Sequence, residues 1–538
     1  MERMRKAFGP GVEFRSDTDY VADKKEYHIY PGDAFPAGDP WYTLVTPADP
    51  PLLAAFRLRD LKNVTIDLSG AKLVFHGRIL PFHMTNCRNV TLKNFSIDYE
   101  RPFFTQGTVT DSGGEDLTLR IPESFRYRVE RGELIAEGEG WEAGLSRGAP
   151  LFQSYDAETG RLSPKTPMML AVTGEKVFPQ ENPPCPVYEL LAESLPGRRV
   201  RFHGVPEFFR PDPGEIVAFT HENRQKPGFL LEDCRETVFE DIRLLHVSAM
   251  AMIANRCQDL VFRRFSCFLD GETGERIITV NADVLHGFHC TGRILAEDCR
   301  FENMLDDALN FHGNYTVTEA KEDARTFLTK ARAAGLHAVP MYLPGDVINV
   351  YRGNTQERKA SYTVSSAEYV KGSAYTQRIA VREPLLEFEE GDIVESTRMP
   401  ELRIRRCVSA HARGGWRFST GKSILMENCL LENSPIMFTG DTDYWFEDSP
   451  VRDVEIRENR FVYYPSSTPI VSFPVYEATE KAPYYHAGIR ILRNDFEDCR
   501  RGILDMHGVD GILLEGNRFG EGSARSMRIE DCGNVRIL

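Results

Sequence analysis

The stretch I-R-I-L-R-N-D-F (489–496), echoed by G-I-L-L-E-G-N-R-F (511–519), decides the fold. Each copy is a short run of alternating apolar and polar residues, then a polar turn carrying Asn, then a second short run. Asn494 and Asn517 are 23 residues apart, as are Cys234 and Cys257. The pattern recurs at N-V-T-I-D-L (63–68), N-V-T-L-K-N-F-S-I (89–97), T-V-F-E-D-I-R-L (237–244), I-L-A-E-D-C-R-F-E-N (294–303) and I-L-M-E-N-C-L-L-E-N (424–433). Longer intervals, 31 from Asn428 to Asn459 and 33 from Cys257 to Cys290, fit the same coil with a loop added. A fixed period combined with strand-type alternation is the mark of a solenoid. A coil of this length with three short strands predicts an all-β, right-handed parallel β-helix, its coils stacked at ~4.8 Å. A β-sandwich also has short strands and frequent turns, but keeps no constant coil length.

Two stretches break the period. Residues 103–220 and 314–403 read as antiparallel β and are expected to be small β-barrel-like insertions. That divides the remainder into a cap with the first coils (1–102), coils bearing an acidic cluster (221–313) and C-terminal coils (404–538).

The rest of the 538-residue composition narrows the function. Hydrophobic residues make up 41% and charged residues 27%, ordinary for a folded chain with a large core. No apolar run is long enough for a membrane-spanning helix. The net charge of −15, without a long basic run, argues against a nucleic-acid partner. The eleven cysteines are odd in number and form no C-x-x-C, so they read as buried thiols at a repeated position rather than a zinc site. The N-terminus lacks an apolar signal region, which fits either a processed exported form or a cytoplasmic protein. An oligomer is compatible with all of this.

On a β-helix, chemistry is expected where outward groups of successive coils line up. Asp283 and Asp306 are 23 residues apart and Asp307 follows directly, so three carboxylates are expected in one patch with Asp283 stacked on Asp306. Such crowding raises carboxyl pKa values, the condition a glycosidase uses to keep one acid protonated and another ionised. An inverting enzyme needs its acid and base ~6.5–9.5 Å apart, a gap that neighbouring coils can span. His286, His312 and Asn310 fall in the same coils and are candidates for sugar hydroxyl contacts, with no metal or other cofactor expected. His289 lies close by. The coil after the second insertion, H-A-R-G-G-W-R-F (411–418), offers Arg413 as a clamp and Trp416 as a stacking platform or, alternatively, a core plug. Glu272 and Arg276 lie on a loop that can close over a substrate, and Asp441, Asp443 and Trp445 are possible cleft walls.

At D-Y-E-R-P-F-F-T-Q (98–106), N-A-D-V-L-H (281–286) and D-D-A-L-N-F-H-G (306–313), the sequence resembles glycoside hydrolase family 110 over most of its length. The resemblance implies an exo-acting, inverting α-1,3-galactosidase without cofactor. It also implies catalytic aspartates at Asp283, Asp306 and Asp307, and a terminal α-galactosyl oligosaccharide or glycoconjugate as substrate, blood-group B or linear. We expect Asp306 to donate the proton and Asp283 and Asp307 to activate water. Two alternatives compete. One is a family 28-like polygalacturonase or a calcium-dependent pectate-lyase-like enzyme on acidic polysaccharide. The other is a non-catalytic carbohydrate-binding β-helix.

Overall fold

The computed structural model describes residues 4–38, 52–146, 150–174, 186–221, 224, 226–269, 271, 274–332, 339–353, 357–411, 413–440, 445–464, 469–473, 484–499, 502–521 and 526–538. These are almost entirely strand and turn, and one short 3-10 turn at Pro31–Asp33 is the helical element among them. No described helix is long and apolar enough to cross a membrane.

Two long parallel sheets form the β-helix. One has 20 strands, and the other, which carries the candidate site, has 13. Successive coils pair in parallel: Val238 with Val261 and Phe239 with Phe262 in one sheet, Phe229 with Met252 and Leu231 with Ala254 in the other. Alternation places every second side chain inside, so Val90, Phe239, Phe262, Ile294, Leu402 and Ile424 join one continuous core.

The cysteines mark a corner of each coil. Asn86, Asp233, Arg256, His289, Asp298, Arg406, Asn428 and Asp498 all have φ near +50°, and each is followed by Cys. The left-handed residue turns the chain, a conformation that Asn and Asp tolerate better than most side chains do. The small thiol after it points inward; Cys234 and Cys429, for example, lie 3.5 and 3.3 Å from the carbonyl oxygens of Glu232 and Glu427. The ten cysteines among the described residues are free thiols.

Both insertions close into barrels. The first runs from strand Phe104–Gly113 to strand Ile216–Thr220 in seven strands, with a separate three-stranded sheet at residues 127–144. The second runs from Thr316–Lys321 to Ile393–Ser396 in six. It ends earlier than its expected limit at 403, because Pro400–Arg405 already pairs with Thr291–Glu297 and Ser423–Glu427 of the helix. The barrels grip two neighbouring coils between them. Ile277, Ile278 and Leu305 belong to the core of the first, and Phe288 to the core of the second. Those coils carry the acidic residues.

Candidate active site

Three neighbouring strands set the site. Leu285–Phe288 pairs with Asp307–Asn314, aligning Leu285 with Leu309 and His286 with Asn310. Gly415–Phe418 follows, aligning Leu309 with Trp416 and Asn310 with Arg417. Leu285, Leu309 and Trp416 point into the coil core. His286, Asn310 and Arg417 therefore point outward, but little of this face meets solvent.

The carboxylates meet as expected, with a shifted register. The strands pair 24 residues apart rather than 23, so Asp283 aligns with Asp307 and Val284 N–H donates to the Asp307 carbonyl at 2.8 Å. Asp306 stands to the side. One oxygen from each of Asp283, Asp306 and Asp307 lies within 4.8 Å of the others. This is tighter than the gap expected for a resting acid–base pair of an inverting enzyme. Gly414 lets the next coil approach closely, since a Cβ there would lie 1.9 Å from Asp307 Oδ1.

Arginines balance the charge. Arg224 forms an ion pair with Asp306. Arg417 reaches Asp307 Oδ2 at 3.1 Å and Glu447 Oε2 at 3.4 Å. The spacing of the trio would by itself permit a cation, and Asp306 and Asp307 are each already paired with a guanidinium.

The three acids have different protonation. Burial pushes Asp283 up to about 7, and the nearby Asp306 charge adds to this. Burial also raises Asp307 well above the carboxylate range, overcoming Arg417. Burial would raise Asp306 too, but Arg224, Arg413 and Arg417 outweigh it and hold that carboxyl low. Asp306 is therefore the ionised member at rest. Asp306 is the member expected to donate the proton; the largest cause favouring its ionised form is Arg224, which returns from the first insertion.

The remaining candidates divide. His286 Nδ1 lies 2.7 Å from Asp283 Oδ2, and His312 Nε2 lies 3.4 Å from His286 Nε2. Asn310 donates to Glu447 at 3.4 Å. Arg413 is exposed and close enough to influence Asp306. Trp416 is fully buried, 5.9 Å from Phe301, so it is a core plug and not a stacking platform. Arg276 is committed elsewhere, with Asp98 at 2.6 Å and the Tyr99 carbonyl at 3.3 Å, fastening its turn to the entry of the first insertion. Trp445 accepts a bond from the Asn314 amide through its carbonyl at 2.6 Å. Glu272, Asp441 and Asp443 lie outside the described residues.

Sequence reasoning missed Arg224, Arg417 and Glu447. Arg417 was within reach, because a Trp416 that faces inward puts its neighbour outward by simple alternation. Glu447 joins through the short strand Glu447–Asp448, which pairs antiparallel with Gly313 and Asn314, a pairing that a solenoid period does not announce. Nothing near Arg224 in the sequence signals its role.

Comparison with known proteins supports a glycoside hydrolase. Residues 105–217 match the family model described as GLAA-B beta-barrel domain I. A curated relative, alpha-1,3-galactosidase B of Phocaeicola vulgatus, is 29% identical over 497 residues, covering 87% of this chain and 80% of the relative. The protein of the same name from Bacteroides thetaiotaomicron is 27% identical over 481 residues, covering 87% and 75%. Among solved structures, the surface adhesin PfbA of Streptococcus pneumoniae aligns at 8% identity over 94% of this chain and 78% of that one. Its TM-score is 0.36, so the fold rests on the strand pairing itself. The resemblance to glycoside hydrolase family 110 is borne out.

Proposed function

We propose that this protein is an exo-acting α-1,3-galactosidase that hydrolyses terminal α-1,3-linked galactose from glycans, of blood-group B or linear type, with inversion. The observation that carries the reading is the trio itself, three carboxyls each with an oxygen within 4.8 Å of the others, Asp306 paired with Arg224 and Asp307 with Arg417. Asp307, neutral at rest, gives its proton to the leaving glycosidic oxygen. Asp306, ionised beside Arg224, faces the positive charge that develops on the sugar ring. The attacking water is held by Asp283, whose Oδ1 has no hydrogen-bond partner among the described residues. With the three acids this close, a water between Asp283 and Asp307 requires their carboxyls to part as the sugar enters.

The test is galactose release from a terminal α-1,3-galactosyl oligosaccharide, with the product anomer followed by NMR. We expect free β-galactose from the intact chain, undiminished by chelator, and a loss of at least ~10³-fold in Asp306→Asn and Asp307→Asn on natural substrate. A galactoside with an activated nitrophenyl leaving group, which needs no acid, should restore Asp307→Asn but not Asp306→Asn. Rescue of Asp306→Asn instead would return the donor role to Asp306. Activity on polygalacturonate without galactose release would replace the whole reading with the acidic-polysaccharide alternative.

A further inference from the structure

The hydrogen bonds around the trio have a direction, and it extends past the trio. We propose that His286 and His312 form a proton relay that draws the proton of the attacking water through Asp283 toward Glu447. The proposal rests on the hydrolase reading above and says where that water's proton goes.

The direction is fixed from the far end. His312 Nδ1 lies 2.7 Å from the Gly313 carbonyl oxygen, which can only accept, so Nδ1 bears the hydrogen. In a neutral ring Nε2 is then bare. His286 Nε2, 3.4 Å away, must donate to it. That leaves His286 Nδ1 bare, 2.7 Å from Asp283 Oδ2, so the hydrogen between them belongs to the carboxyl. Glu447 Oε1 is 3.8 Å from His312 Nε2, too far for a hydrogen bond, and demands no proton there. The chain therefore runs one way, from Asp283 to His286 to His312.

The surroundings agree with neutral rings. Both imidazoles are buried, His286 at 0% and His312 at 2% exposure. Burial is the main reason that His286 is held down to about 4 and His312 is lowered. Glu447 and Asp306 oppose this, while Arg224 and Arg417 reinforce it. Asp283, two residues before the strand that carries His286, is the neutral titratable group that completes the set facing the pair.

The step balances. Water oxygen bonds to the anomeric carbon as the bond to the leaving oxygen breaks, and Asp307 protonates that oxygen. The water's proton passes to Asp283 Oδ1. The Oδ2 proton moves to His286 Nδ1, and the proton on His286 Nε2 moves to His312 Nε2. His312 ends as an imidazolium facing the ionised Glu447, which the Asn310 amide and Arg417 hold at 3.4 Å. The site resets when the transfers run back along the chain, from His312 Nε2 to His286 Nε2 and from His286 Nδ1 to Asp283 Oδ2, and the proton on Asp283 Oδ1 leaves through solvent to Asp307; no electrons change hands. Asp283 is the catalytic residue here; His286, His312 and Glu447 are positioning residues that act through it.

Two measurements test this. The first needs no substrate: nitrogen-15 NMR of the histidine rings in the resting protein, assigned with single His→Gln variants. It should find the hydrogen of His312 on Nδ1 and that of His286 on Nε2. A hydrogen on His286 Nδ1 would mean an ionised Asp283 and would overturn the relay, whether or not the protein releases galactose. The second is kinetic. His312→Gln should lower kcat about tenfold or more with KM within about twofold, and Glu447→Gln should lower kcat less. Rate against deuterium fraction in the solvent should be more strongly curved for the intact chain than for His312→Gln, in which the Asp307 and water protons still move but the relay protons do not. A folded His312→Gln with unchanged kcat and unchanged curvature would also overturn the relay. If this variant fails to fold, the ring hydrogens of the intact chain still decide.

Discussion

The same sheet carries two versions of one outward arrangement. In the coils between the barrels, His286 meets Asp283 at 2.7 Å, with side chains 0% and 3% exposed, and Arg417 meets Asp307 at 3.1 Å. In the last coils, His507 meets Asp531 at 3.6 Å, with side chains 17% and 80% exposed, and Arg528 meets Asp505 at 3.9 Å. The residue types match, and the strands Leu504–His507 and Met527–Glu530 extend the sheet that holds Leu285–Phe288. What differs is the cover. The first pair is buried beside Arg224 and Glu447, and there burial raises Asp283 and Asp307 while arginines hold Asp306 low. The second is open to water, which screens such pairs to little effect. The β-helix supplies the alignment, and burial turns it into chemistry.

The comparison can be broken most directly at the arginines. Arg417→Gln leaves the ionised Glu447 buried without its cation, so we expect a stability loss of ~3 kcal/mol and a fall in galactose release of about 100-fold. Arg528→Gln should change stability by no more than ~0.5 kcal/mol and leave turnover alone. Equal losses in denaturant melts would show that cover is not what separates the two regions.

A smaller effect sharpens it through pH. Asp283 keeps its proton to about 7 in the folded chain, against ~3.9 when unfolded. Across that window the folded state binds more protons, so stability falls as pH rises, and the full cost is present above the folded value. Asp283→Asn has no charge to bury. Its Tm relative to the intact chain should therefore rise between pH 5 and pH 8, by about 2 °C or more. Parallel melting curves would contradict the raised carboxyl. The smallest expected effect is at His507, where substitution by Gln should leave both Tm and galactose release within error, in contrast to His312→Gln.

Much of this was legible in the sequence for a physical reason. Coil length is a property of neighbouring residues, so the Asn and Cys spacings revealed the β-helix and the interruptions revealed the insertions. The Asp283, Asp306 and Asp307 cluster followed from the same arithmetic, with an error of one residue, because Leu285–Phe288 pairs with Asp307–Asn314 at an offset of 24 rather than 23. What stayed hidden depends on contacts across the chain. Arg224 reaches Asp306 from the far side of the first insertion, and the protonation of the trio turns on that contact. Trp416 shows a milder failure: alternation was available, and it assigns Trp416 to the core and Arg417 to the site.

The barrels also shape how the chain can find its fold. Most coils pair with residues about one coil away, as Arg235 does with Gln258. At the two insertions the partner is far off, Arg88 with Arg235 and Glu297 with Arg405. Closing loops of that length costs only about 1.6 and 1.4 kcal/mol more than closing an ordinary coil, since the entropy grows with the logarithm of length. Each barrel removes even that difference if it forms first. Phe104 is the register partner of Thr220, and Thr316 of Val394, so a closed barrel returns the chain beside the point where it left. To the growing solenoid, a folded insertion of a hundred residues is then kinetically a turn.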